Sequence, residues 1–188
     1  MHQKTDTCII VGAGSGLSAS LARLFRANDM EVVLAARNVK KLTSFSKEIG
    51  CDLVQCDSSD ADQVKKLFIQ TDEIFGAPSL VVYNPSARIR GDITSLDPQQ
   101  TKLALETTCF GAFLVAQQAA MRMITNGSGS IFFTGASAGV KGFANSSVFA
   151  MGKFGLRGLA QSLARELQPK NIHVAQQLEP RALPAQIQ

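Results

Sequence analysis

The chain is predicted to fold as an α/β protein around a doubly wound parallel sheet. Three observations carry that expectation. Short apolar runs alternate with helix-compatible segments through the whole chain, the runs lack the polar–apolar alternation of half-exposed strands, and the first run ends in a glycine-rich turn that opens a helix.

Six strands are expected, at Thr7–Val11, Glu31–Ala36, Cys51–Gln55, Ser79–Tyr83, Ser130–Thr134 and Asn171–Gln176. Helices between them are expected at Leu17–Arg26, Val39–Ile49, Asp60–Ile74, Pro98–Thr125 and Ser147–Gln168, on both faces of the sheet. Asn38 suits the N-cap of the second helix and Gly50 its end, and Asp97–Pro98 supplies a cap followed by proline at the first helical position. In the last helix Leu156, Leu159, Leu163 and Leu167 recur at i, i+3 and i+4 intervals, the stripe of a core or of a subunit interface.

Composition narrows the function classes. With 188 residues the chain can bury roughly 70% of its extended surface. Its 45% hydrophobic and 18% charged residues are ordinary for a globular protein. The net charge of +4 suits an anionic ligand, but Lys40–Lys41 and Lys65–Lys66 are short pairs that read as solvated helix faces, so no nucleic-acid stripe is expected. MHQKTDT has no signal-peptide core and no apolar run approaches the ~20 residues of a membrane span, so no membrane partner and a cytoplasmic location are expected. Cys8, Cys51, Cys56 and Cys109 form no C-x-x-C pair and read as reduced buried thiols; five apart along a strand, Cys51 and Cys56 should point to opposite faces. His2 and His173 have no ligand-like neighbours, and no metal site is expected.

The segment Cys8–Ser20, CIIVGAGSGLSAS, holds the strongest local signal. Glycines at 12, 14 and 16 let the backbone turn sharply and approach phosphate oxygens, and the helix beginning at Leu17 aims free N–H groups and its positive dipole end at the anion. A purely structural glycine turn is the alternative. Gly12, Gly14 and Gly16 miss G-x-G-x-x-G because Leu17 takes the third position; Gly12 and Gly16 fit G-x-x-x-G-x-G, with Ser18 in the last place. Residues 1–188 thus read as a single Rossmann-like dinucleotide-binding domain, with 176–188 a divergent tail. Gly12, Gly14, Ser15, Gly16 and Leu17 are its expected pyrophosphate cradle.

In such a fold ligands sit beyond the carboxyl ends of the strands. After the second strand comes Arg37, with Ala36 where an acid would meet a free ribose 2′-hydroxyl, so NADP(H) is favoured over NAD(H), Arg37 pairing with a 2′-phosphate; a solvated loop arginine is the alternative. After the third come Asp57 and Ser58, suited either to an adenine edge or to a helix cap. After the fourth comes Asn84, and after the fifth Gly135–Gly139.

Together VGAGSGLS, AAR after the second strand, Cys56–Asp57, VVYNPS at Val81–Ser86, GSIFFTGASAG at Gly129–Gly139 and FAMGKFGLRGLAQSLARELQPKNIHV at Phe149–Val174 resemble the short-chain dehydrogenase/reductase family over about residues 5 to 175. The resemblance implies a hydride transfer between nicotinamide and a small-molecule carbonyl/alcohol pair, and a homo-oligomer built on the two long helices. It implies a site in which Ser137 binds the substrate oxygen and Lys153 holds the nicotinamide ribose. Asn84 is what remains of an asparagine-rich cofactor segment, and Thr108 stands at a family asparagine. Phe149 takes the place of the proton-exchanging tyrosine, four residues before Lys153 on one helix face. Tyr83 is the chain's one tyrosine and is not expected to substitute. A catalytically impaired nucleotide-binding protein, acting as sensor or interaction partner, is therefore the alternative. The family's Pro-Gly turn, substrate lid and seventh strand are not matched by Gln176–Gln188, where Pro180 lacks a following glycine, leaving the sixth strand as an expected open edge.

Overall fold

The computed structural model of the chain describes residues 6–178. His2, Pro180 and the tail beyond Leu178 lie outside the described residues. The elements run β1 (Thr7–Val11), α1 (Leu17–Arg26), β2 (Glu31–Ala36), α2 (Thr43–Ile49), β3 (Asp52–Gln55), α3 (Ala61–Phe75), β4 (Leu80–Tyr83), α4 (Pro98–Leu105), α5 (Gly111–Asn126), β5 (Gly129–Gly135), α6 (Ser147–Leu167) and β6 (Ile172–Leu178). The sheet is six-stranded and parallel, in the order β3-β2-β1-β4-β5-β6. The strand order reverses between β1 and β4, so a crevice opens beyond Val11 and Tyr83.

Strand alternation splits the core into two. Ile9, Val11, Val33, Val81, Tyr83, Ile131 and Phe133 face the helices α3, α5 and α6, meeting Leu67, Phe68, Val115, Met123 and Leu156. Cys8, Ile10, Val32, Leu34 and Val82 face α1 and α2, meeting Ala22, Phe25, Phe45 and Ile49. Both faces are thus covered, which is why the strands are apolar without alternation. Cys51 joins the second cluster and Cys56 the first, on opposite sides as their spacing requires. The leucine stripe of α6 is core: Leu156 and Leu167 are buried, and Leu159 and Leu163 pack against them.

Helix ends follow local chemistry. Asn38 accepts from the Lys40 N–H, but it caps a 3₁₀ turn, Val39–Leu42, that precedes α2. Asp60 lies outside α3 and caps it, accepting from the Asp62 and Gln63 amides. Those bonds hold its carboxyl below the usual carboxylate range, the Gln63 backbone bond first. Gly50 ends α2 in the left-handed region.

The long helix expected over Pro98–Thr125 is interrupted. Glu106–Phe110 form a π-helical turn between α4 and α5. The insertion has a packing reason. Gly111 sits so close to the sheet that a Cβ there would fall 2.5 Å from the Tyr83 hydroxyl and 2.7 Å from the Ser58 carbonyl oxygen. The Tyr83 hydroxyl donates to the Thr107 carbonyl, and such wide turns accept a bond from outside the helix that a regular α-turn would occupy.

Candidate functional site

A cleft of about 530 Å³ opens where the strand-order argument puts it. Gly12 and Ala13 follow β1, Ala36 and Arg37 follow β2, Asp57 and Ser58 follow β3, Asn84–Ser86 follow β4, and Thr134–Ala136 close β5; Phe149 and Lys153 reach in from α6. Six strand ends and helix starts therefore deliver the residues that were far apart in sequence.

The glycine turn is braced from behind. Gly12 has φ +78°, and a Cβ there would strike the Pro85 ring at 2.7 Å. The amides of Gly12 and Ala13 both donate to the Ala35 carbonyl. Asn84 Nδ2 donates to the Gly12 carbonyl at 3.2 Å and to Ser18 Oγ at 3.0 Å, and Ser18 Oγ donates in turn to Gly12. Asn84 thus shapes the turn as well as lining the cleft, and Ser18 in the last motif position is part of the brace. Around Gly14 and Gly16 a Cβ would meet nothing within 4 Å, and α1 begins with no side-chain cap and no acid in its first turn. That open, uncapped helix start is suited to an anion. Ser15, Gly16 and Leu17 are exposed there.

Arg37 is exposed at the rim beside Ala36, with no ion pair among the described residues. Asp57 and Ser58 line the cleft but are partly engaged. Asp57 Oδ1 accepts from the Ser59 amide and hydroxyl, and the Ser58 hydroxyl lies 3.2 Å from that of Tyr83.

At the inner end, Lys153 is 2% exposed and its Nζ donates to the Thr134 carbonyl at 2.7 Å. The same Nζ lies 5.9 Å from the centre of the Phe149 ring, and the Arg88 guanidinium lies 5.1 Å from it. Phe149 is therefore a ring held among two cations. Ser137 is exposed on a 3₁₀ turn, Ser137–Gly139, and lines an adjoining cavity rather than the cleft. Thr108 is buried in the π turn, and its Oγ1 accepts from the Ala87 amide at 3.0 Å. Thr107, its neighbour, lines the cleft instead. Tyr83 is fully buried; burial pushes its hydroxyl pKa up, and its proton is held on the Thr107 carbonyl.

Sequence reasoning missed Arg88, Pro85 and Thr107. Only Arg88 left a signal, as a cation alternating with Arg90 just after the fourth strand.

The sheet order and a cleft at the β1/β4 reversal define a Rossmann-type nucleotide-binding protein. More narrowly, the chain belongs to the short chain dehydrogenase family, whose sequence profile matches residues 6–180. A short-chain dehydrogenase from Rhodopseudomonas palustris has 33% sequence identity and a TM-score of 0.88, over 95% of this chain and 85% of that one. A variant of actinorhodin polyketide ketoreductase, solved with NADPH, has 23% identity and a TM-score of 0.89, over 94% and 70% of the two chains. The 3-oxoacyl-acyl-carrier-protein reductase MabA of Mycobacterium tuberculosis is 27% identical over 164 residues. That match covers 87% of this chain but only 64% of the reductase.

Proposed function

We propose that this chain is an NADP(H)-dependent oxidoreductase acting on a carbonyl/alcohol pair, in which no tyrosine supplies the proton. One observation carries the reading: a single cleft brings together the glycine turn, Arg37, Asn84 and Lys153. The donor set fits the cofactor. The uncapped start of α1 suits a pyrophosphate, the Arg37 fork suits a 2′-phosphate, and Lys153 is a buried cation at the inner end. Nicotinamide, when bound, gives or takes the hydride. Proton movement falls to the protein. Phe149 has no proton to give, and that of Tyr83 is held on a carbonyl, so Ser137 or a water held by Lys153 passes it. The reductase and NADPH-complexed relatives support the class. The cysteines, all free thiols, suit the cytoplasm.

Phe149 also favours the second reading, a nucleotide-binding protein with little turnover. Titration with NADPH and NADH, alongside cofactor absorbance in the presence of a carbonyl panel, separates the two. Turnover supports the oxidoreductase, and tight binding without turnover supports the sensor. Arg37 gives the cofactor prediction. NADPH at about 100 times its dissociation constant raises unfolding free energy by roughly 2.7 kcal/mol, and NADH at the same concentration does less. The Arg37→Asp variant reverses that order. Equal stabilisation by both cofactors sinks the argument.

The same reading implies a homo-oligomer. Phe110, Phe113, Met151 and Phe154 are each 43–52% exposed on the α4–α5–α6 side of the molecule. Phe110 and Phe113 stack at 6.1 Å. Light scattering at micromolar concentration is expected to give a dimer or tetramer, and Phe113→Arg to lower that mass. A monomeric wild-type protein refutes the assembly.

A further inference from the structure

A second cavity, of about 480 Å³, lies between the β4–α4 loop and the β5–α6 loop. Arg88, Arg90, Ser137, Phe143, Asn145 and Ser146 line it. It shares a wall with the cleft: Arg88 rests on the ring of Phe149, and Ser137 follows Ala136 in the chain. Ser137 and the Arg88–Phe149 contact thus lie on the cavity's cleft side.

The charge of this cavity is one-sided. Two guanidinium groups line it and no carboxylate does. Among the described residues neither arginine has an ion pair, and Lys141 adds a third cation 5.1 Å from the centre of the Phe143 ring. The arginines are also pinned. Their segment is tied at one end by the Ala87 amide donating to the buried Thr108 hydroxyl, at 3.0 Å. At the other end the Gly91 amide donates to the carbonyl of Asn145, which lines the cavity, at 3.3 Å. The Arg88 guanidinium also lies over the Phe149 ring, 5.1 Å from its centre. Both arginines are exposed and line one cavity without a carboxylate, and an oxyanion accepting from their guanidinium groups supplies the missing counter-charge.

We propose that this cavity is the substrate pocket and selects a carbonyl compound that carries an oxyanion, a carboxylate or a phosphate, bound by Arg88 and Arg90. The word substrate rests on the oxidoreductase reading; the oxyanion rests on the cavity alone. Thr108 then acts as a positioning residue, holding the arginine segment in place. Phe149 lines the cleft and carries Arg88 over its ring, so it stands between the oxyanion end and the cleft.

Isothermal titration calorimetry on the full chain tests this, with and without saturating NADP⁺ so that binding at the glycine turn is separated from binding here. The probes are acetoacetate, its methyl ester and inorganic phosphate. Acetoacetate is expected to bind at least about tenfold more tightly than the ester, the scale of one charge-assisted contact. Arg88→Gln and Arg90→Gln each remove that preference without shifting the thermal melt, and Arg90→Lys keeps part of it. Acetoacetate binding alone assigns a carboxylate, and phosphate binding alone assigns a phosphorylated carbonyl. Equal affinity for acid and ester with no phosphate binding, or an acid affinity that neither Gln variant changes, overturns the proposal. Loss of NADP⁺ binding with oxyanion discrimination intact overturns the oxidoreductase reading and leaves the oxyanion pocket standing.

Discussion

The Phe149→Tyr variant is expected to reduce carbonyl compounds with NADPH by up to about 10²–10⁴ times faster than the wild-type chain, the range a positioned general acid supplies. The change adds one hydroxyl to a half-buried ring that already lines the cleft, so its steric cost is small. The surroundings suit a tyrosine acid. Lys153 Nζ and the Arg88 guanidinium lie 5.9 and 5.1 Å from the ring centre, and cations at that range favour the phenolate and lower the hydroxyl pKa. Adding Lys153→Met to the variant removes the buried cation on the same helix face and, with it, the gain. Steady-state kinetics across pH read this directly, because the gained activity follows the titration of the new hydroxyl. Fast turnover by the wild-type protein would show that another group passes the proton. No gain in Phe149→Tyr despite tight NADPH binding would show that the ring is not the limiting loss.

The fold was legible because its signals are local. The six apolar runs became β1 to β6 within a residue or two, and the N-caps Asp60 and Asp97 start helices where their side chains accept amide hydrogens. The π turn at Glu106–Phe110 was not legible. Nothing within that segment breaks a helix; the Tyr83 hydroxyl at the end of β4 and the Ser58 carbonyl in the turn after β3 crowd it from elsewhere in the fold. The site divides the same way. Gly12, Arg37, Asn84 and Lys153 stand out in the sequence because each follows a strand or sits at a fixed helical spacing, and the structure brings them to one cleft. Thr108 was expected beside the chemistry through its alignment, yet its hydroxyl accepts from the Ala87 amide. Arg88 went unread because its meaning depends on the Phe149 ring, far along the chain. Such pairings belong to tertiary packing, which sequence periodicity does not encode.

Gly111→Ala is expected to destabilise the protein by about 3 kcal/mol, at the upper end of the cost of overpacking a filled core. The added methyl would meet the Tyr83 hydroxyl at 2.5 Å and the backbone of Ser58 at 2.7 Å for the oxygen and 3.0 Å for the carbon. Neither neighbour yields easily. Tyr83 is fully buried against Phe133 with its hydroxyl bonded to the Thr107 carbonyl, and Ser58 ends the β3 side of the cleft. The start of α5 must therefore move outward, which pulls on the π turn and on Thr108, and through Thr108 on the Ala87–Gly91 segment. Thermal denaturation followed by circular dichroism should show a fall of about 6–12 °C for a loss of that size in a chain of this length. A double-mutant cycle identifies the obstacle. Tyr83→Phe removes the hydroxyl, so the combined variant should lose less than the sum of the two single losses, while the Ser58 clash keeps the rescue partial. Additive losses would mean that the hydroxyl is not what the methyl meets, and a wild-type melt in Gly111→Ala would mean that the helix start accommodates a side chain after all.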